Sequence, residues 1–261
     1  MPSYAILGAT GQTGRALLKN LSLSPDNTLN LYARSESKLI SQNSSFSPTP
    51  PPTTHFFIGP LTNTGLLASC IKNVDTVFCV VASNTNQPGC RIAQDTAHAV
   101  LAAMELLRGE GGEAKLPRLI FLSAGPVSVK FRTKLPGFVN WLLWSAYGHV
   151  YKDLEAAEKT VGKEKGWVKA VFVYPAGLTD VDERALGHRV TTEAPGGLFM
   201  SYGDLAAGMI EIAKEKNGKY DWVDVTVLPT GKGVKISYLG LWKRMLGGIL
   251  HGLMPWMFGK Q

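Results

Sequence analysis

This 261-residue chain is sparing with the residues that usually announce a metal site, a disulfide scaffold or a hydrolase. Its three cysteines, Cys70, Cys79 and Cys90, are odd in number and lack ligand spacing, which argues against a disulfide framework and a cysteine-held metal. The five histidines form no i, i+4 pair and have no CxxC partner, so metal catalysis has no ligand set. No GxSxG elbow is present, which removes a Ser-His-Asp hydrolase. Acidic residues are outnumbered 20 to 27, for a net charge of +7, yet no basic run resembles a nucleic-acid patch. No internal repeat is visible. Met1-Pro2-Ser3 runs straight into the first predicted strand, leaving no room for a signal or transit peptide. The expected location is therefore the cytoplasm, with reduced thiols and an idle Asn43-Ser44-Ser45 sequon.

What is present begins with a strand and a glycine-rich turn. Ala5-Ile6-Leu7 is followed at once by Gly8-Ala9-Thr10-Gly11-Gln12-Thr13-Gly14, and a helical pattern starts at Ala16, Leu17, Leu18 and Leu21. Strand, turn and helix in that order give a glycine fingerprint its meaning. Gly8 serves the tight turn, Gly11 lets a pyrophosphate approach the backbone, and Gly14 lets the helix lie close to the strand. The helix start offers free N–H groups to phosphates, so Thr10, Gln12 and Thr13 join the three glycines as cofactor-binding candidates. After the second predicted strand, Leu29–Ala33, no carboxylate stands ready for a ribose 2′-hydroxyl before Glu36. Arg34 stands there instead, with Ser35 and Lys38. A guanidinium suits a 2′-phosphate, which points to NADP(H).

Strands and helices then alternate. Strands are predicted at 55–58, 76–81, 119–122 and 168–173, and helices at 65–71, 92–107 and about 140–161. This is the pattern of an α/β protein with a Rossmann-type, doubly wound parallel sheet. The Ser-, Pro- and Thr-rich stretch 41–54 and the polar segment 108–115 read as loops, the former mobile. Residues 1–177 are assigned to the NAD(P)-binding core. Residues 178–261 form a small C-terminal substrate region with returning sheet and helix elements and an apolar final helix. That last segment, Leu239–Phe258, is too short and too interrupted to span a membrane. A lid, a subunit contact in a homo-oligomer, or a helix on a membrane surface remain open, the first two being the more ordinary.

With these pieces in view, the chain resembles the atypical short-chain dehydrogenase/reductases. Within them it is similar to the NmrA-like NAD(P)-binding proteins, and especially to the averufin-oxidase-A-like group of fungal secondary metabolism. The motifs are GATGQTG at 8–14, YARSESK at 32–38, VDTVFCVVASN at 74–84, PRLIFLSAG at 117–125, YKDLEAAEK at 151–159, VYPAGLTD at 173–180 and SYGDLAAGMIEIA at 201–213. The resemblance implies an NADP(H)-dependent oxidoreductase acting on a hydrophobic, aromatic polyketide-type molecule. Three departures stand out. The turn Gly59-Pro60-Leu61-Thr62 lacks the family's aspartate near the adenine, which leaves Leu61 there. Tyr174 stands where arginine is common. Tyr147 is followed four residues later by Tyr151 rather than lysine, and the nearest lysine is Lys152.

Ligands of open α/β sheets bind beyond the carboxyl ends of the strands, which places Ala82, Ser83, Ser123 and Pro175 near a nicotinamide. Ser123 stands where the superfamily's catalytic serine would. On the following helix Val150, Leu154, Ala157 and Val161 form the core stripe, and Tyr147 and Tyr151 share a neighbouring face. A phenol titrates near ~10 and needs a nearby cation to act near neutrality. The proton-handling candidates are therefore Ser123, Tyr147, His149, Tyr151 and Lys152. The missing Tyr–Lys spacing keeps two rivals open: a non-redox isomerase, cyclase or dehydratase on the same scaffold, and an NADP-sensing regulatory protein.

Overall fold

The structure is a computed structural model that describes residues 1–42, 53–109, 115–179, 185–193, 199–231, 236–254 and 256. β1 (Ser3–Leu7), α1 (Gln12–Leu21) and β2 (Thr28–Ala33) open the chain, followed by α2 (Glu36–Ser41), β3 (Thr54–Ile58) and α3 (Thr64–Ile71). Then come β4 (Thr76–Cys79), α4 (Ile92–Gly109), β5 (Arg118–Leu122), α5 (Val129–Arg132), α6 (Gly137–Gly162) and β6 (Ala170–Val173). β7 (Gly177–Thr179), β8 (His188–Thr191), β9 (Phe199–Ser201), α7 (Tyr202–Lys214), β10 (Asp224–Pro229) and α8 (Tyr238–Leu253) complete the described elements.

Eight strands form one sheet in the order β3-β2-β1-β4-β5-β6-β10-β8. All neighbours run parallel except β8, which lies antiparallel on β10. Chain order reverses beside β1, between β2 and β4, and this is the switch point where an open α/β sheet leaves a crevice. The central strands read as continuous apolar runs because both faces are covered. Val77, Leu119, Phe121 and Phe172 face α3, α4 and α6, while Ile6, Phe78, Ile120 and Val171 face α1 and α7. The stripe Val150, Leu154, Ala157 and Val161 of α6 is buried throughout.

Beyond Gly177, α7 and β10 return to the main sheet, whereas β7 and β9 form a separate parallel pair. The return is fixed by one carboxylate. Ser201 caps α7 by accepting from the Asp204 N–H at 3.0 Å, and its hydroxyl donates to Asp204 Oδ2 at 2.9 Å. Asp204 Oδ1 meanwhile accepts the N–H groups of Leu186 and Gly187 at 2.7 and 2.9 Å. These bonds anchor the strand connection to a helix start.

Element limits differ from the sequence reading by one to three residues. The fourth strand ends at Cys79 instead of 81; Val80 N–H still donates to Leu7 O at 3.0 Å before the chain leaves the sheet. Of the stretch 41–54, Ser41 closes α2 and Thr54 opens β3, so its ends belong to regular elements. Residues 43–52, with the Asn43 sequon and the expected mobility, lie outside the described residues, as do 110–114 of the second polar segment.

Candidate active site

The glycine turn has the shape its spacing requires. Gly8 has φ +97°, a conformation that side chains with a Cβ rarely adopt. A Cβ on Gly14 would stand 2.1 Å from Gly8 O, so α1 reaches the strand only because that position is bare. A Cβ on Gly11 would meet only Gly8 O, at 3.3 Å; its other sides are open space. No side chain caps α1 and no acidic residue sits in its first turn. Its N–H groups and the positive end of its dipole thus face the crevice. These features fit a dinucleotide pyrophosphate. Thr10 and Gln12 are partly exposed, and Thr13 is buried. Arg34 and Lys38 are exposed at the end of β2 and on α2, and Ser35 caps α2 by accepting the Lys38 N–H at 3.2 Å. Leu61 sits in a turn pinned by Tyr32, whose hydroxyl donates to Pro60 O at 2.8 Å.

From this turn a cavity of about 860 Å³ extends beyond the carboxyl ends of β5 and β6. Gln12, Ser83, Ser123 and Pro175 line its cofactor end, and Tyr147 and Tyr151 its wall. Its outer part is mostly apolar, built by Leu135, Val139, Leu142 and Leu143 around the start of α6 and by Leu241 and Met245 of α8, with Lys134 and Arg244 among them. Ala82 is exposed and does not line the cavity.

Ser123 has a partner that the sequence reading missed. Its Oγ donates to Glu158 Oε1 at 2.5 Å, and the Tyr174 hydroxyl donates to Glu158 Oε2 at 3.0 Å. Burial pushes the Glu158 carboxyl up to about 7; the two hydroxyls oppose the rise, and Asp224 and Glu155 add to it. Burial, then Glu158 and Asp224, hold the Tyr174 phenol far above its ordinary range. Asp224 accepts in turn from Ser128 Oγ at 2.5 Å. Glu158 follows Tyr151 by seven residues, two turns further along α6, and the sequence signal for it was an acidic residue next to the core stripe Leu154–Ala157–Val161.

The other proton-handling candidates divide. Tyr147 and Tyr151 stand together, ring centroids 6.0 Å apart, as their spacing predicts. Burial raises the Tyr147 phenol against a lowering by Arg244, and raises Tyr151 further, with Tyr147 adding to the rise. His149 and Lys152 are not brought to the cavity. The His149 backbone N–H donates to Asn86 Oδ1 at 2.8 Å. Its imidazole is lowered by burial and by Lys152, which favours the neutral ring. Lys152 points to solvent, rotated off the tyrosine face by its one-residue offset.

Asn86 also donates to Gly248 O at 3.0 Å, so one buried side chain from the segment after β4 holds both α6 and α8. The helices touch backbone to backbone: a Cβ on Gly248 would stand 2.2 Å from Ala146 O.

A bare glycine turn at the switch point of a parallel sheet defines a nucleotide-binding protein of the Rossmann class. The chain belongs to the NAD(P)H-binding family, whose profile matches residues 8–216. It is 39% identical over 264 residues to the oxidoreductase aflX of Aspergillus parasiticus, spanning 99% of this chain and 94% of that protein. It is 36% identical over 269 residues to the oxidoreductase stcQ of Emericella nidulans, spanning 99% and 93%. A short-chain dehydrogenase/reductase from Veillonella parvula, solved in complex with NADP, shares the fold with a TM-score of 0.66 at 16% identity, over 91% of this chain and 99% of that one. The NAD(P)H-binding family, the Rossmann fold and the oxidoreductase class therefore hold for this chain.

Proposed function

We propose that the chain is an NADP(H)-dependent oxidoreductase whose substrate is a hydrophobic, aromatic polyketide-type molecule, with Ser123 and Glu158 moving the proton. The observation that carries this reading is the cavity itself. Its volume falls in the range of small-molecule sites, roughly 300–1,000 Å³. One end meets the glycine turn, the far end is mostly apolar with Lys134 and Arg244 in its lining, and Ser123 stands between them.

The dinucleotide, when bound, supplies or takes the hydride. The chain's own groups handle the rest. A carbonyl oxygen of the substrate beside Ser123 accepts the Ser123 hydroxyl proton. The Glu158 carboxylic acid passes its proton to Ser123 Oγ, and the carboxylate left behind is held by the Tyr174 hydroxyl. Hydride and proton together convert the carbonyl to an alcohol, and the reverse reaction runs the same path with Glu158 as acceptor. A carboxyl titrating near 7 serves either direction near neutrality. This arrangement dispenses with the lysine that Tyr147 lacks. Tyr147 and Tyr151 then act as wall and hydrogen-bonding surface for the substrate.

Arg34 supports NADP(H) over NAD(H), since it is an exposed guanidinium at the end of the strand beside β1. One charge-assisted contact contributes roughly 1.5–3 kcal/mol, about 10- to 150-fold in affinity. Calorimetry should show NADPH binding tighter than NADH by that factor, and Arg34→Ala should erase most of it; equal affinities in the parent protein sink the assignment. The reaction is tested by anaerobic incubation with aromatic ketones and quinones, following NADPH absorbance and product mass together. A product two hydrogens heavier with matching cofactor consumption is expected. A product of unchanged mass with no cofactor consumed would replace the reading with an isomerase.

A further inference from the structure

The two helices that roof the cavity carry an outer surface that the fold leaves uncovered. On α8, Leu239, Trp242, Leu246, Leu250 and Leu253 are all exposed. Their spacing of three, four, four and three residues confines them to an arc of about 80°. Met245 and Gly248, the buried residues of α8, face the other way. At the start of α6, Phe138 and Trp141 are exposed and stacked, with ring centroids 6.1 Å apart. An apolar stripe of this length on a surface helix marks an interaction site.

Charge says what covers it. Residues 126–152 and 225–261 contain nine Lys or Arg and no Asp or Glu, whereas the rest of the chain contains 18 basic and 20 acidic residues. The whole positive excess of the protein therefore belongs to the two segments that carry the uncovered helices. Lys130 and Lys134 are exposed just before α6, Lys134 also lining the cavity, and Lys243 is exposed on α8 at the edge of the stripe, whereas Arg244 stands on the cavity side of that helix. An isologous pairing of two copies would set these cations against themselves with no acidic partner in either segment. An anionic lipid surface meets both needs, since it takes the leucine and tryptophan side chains into its acyl boundary and pairs the cations with headgroups. No helix among the described residues is long and apolar enough to cross a membrane, so the contact is with one leaflet.

We infer that α8 and the start of α6 form a docking face for an anionic membrane surface. The inner sides of the same helices line the apolar end of the cavity through Val139, Leu142, Leu241 and Met245. The docked protein thus holds its substrate chamber one helix thickness from the lipid, where an apolar small molecule is concentrated. The attachment itself does not depend on the reaction proposed above.

Flotation of the full chain with vesicles of phosphatidylcholine alone, and of phosphatidylcholine mixed with phosphatidylserine, tests this with no substrate or cofactor present. The chain should float with the mixed vesicles and be released by salt. Replacing Trp242 and Leu246 together by serine should weaken binding about tenfold or more, and Lys243→Ala by about fivefold. All three positions are exposed and line no part of the cavity, so melting temperature and NADPH affinity should stay unchanged in these variants. Failure to float with either vesicle overturns the inference. So does equal, salt-insensitive binding to neutral vesicles, or a dimer in light scattering that the Trp242/Leu246 double variant disperses; the last result would assign the face to a second copy.

Discussion

One strand separates two buried ionisable groups that are held in opposite ways. At the amino end of β5, Arg118 donates from Nε to Asp221 Oδ1 at 2.6 Å and from Nη1 to the carbonyls of Ile212 and Glu215 at 3.0 and 2.7 Å. Just past its carboxyl end, Ser123 and Tyr174 donate to Glu158, which pairs with no Lys or Arg among the described residues. The charged groups that act on it, Asp224 and Glu155, are both negative. A buried cation met by a carboxylate and carbonyls is locked in one state. A buried carboxyl met by hydroxyls and other acids stands near balance between two. The sheet keeps its fixed charge at the amino end of β5 and its titrating one past the carboxyl end, beside the cavity.

The sharpest way to break this contrast is to remove the carboxyl and keep its shape. Glu158→Gln should lower kcat by about 10²- to 10⁴-fold while NADPH affinity stays intact. In the reducing direction the parent rate should fall as pH rises past about 7, and the residual rate of the variant should be flat there. A full kcat with an unchanged pH profile would return Glu158 to a packing role. At the other end, Arg118→Ala strands Asp221 and should cost about 3 kcal/mol or more in denaturant titrations, with kcat per folded molecule unchanged. A loss of rate without loss of stability would erase the distinction between the two ends. The third effect is smaller. Folding raises the Glu158 carboxyl from 4.5 to about 7, so the folded state holds a proton that the unfolded state releases. The stability this contributes is complete below 4.5 and is lost as pH rises through about 7, a change of about 3 kcal/mol in all. Glu158→Gln should therefore resist denaturant better than the parent at about pH 8, and the gain should vanish in acid.

The parts legible in the sequence are the local ones. The turn at 8–14 is specified by bare positions whose demands can be read within one strand, one turn and one helix: Gly8 takes its positive φ, Gly14 has no room for a Cβ, and Gly11 borders open space. The apolar runs of β4 and β5 were equally plain, because both faces are buried. β8 was not: His188-Arg189-Val190-Thr191 is short, polar and paired on one side only. Glu158 escaped because a glutamate on a long helix ordinarily lies in water, and nothing near it in the chain names its partners. Ser123 and Tyr174 stand 35 and 16 residues away and arrive only when β5 and β6 pair and α6 packs across them. His149 and Lys152 drew attention by residue type and helix position. The rotation that carries Tyr147 and Tyr151 to the cavity turns those two away from it.

The contact of Gly248 with Ala146 works as a caliper. Backbone touches backbone there, and Asn86 fixes the register by holding both helices from a third direction. The height of the chamber's roof is thus decided at a position that never faces the ligand. In a chain built to this plan, a methyl group at that one point forces the two helices to shift against each other while every lining residue keeps its identity. Chains that agree at every residue of the wall can then differ in the size of molecule they admit.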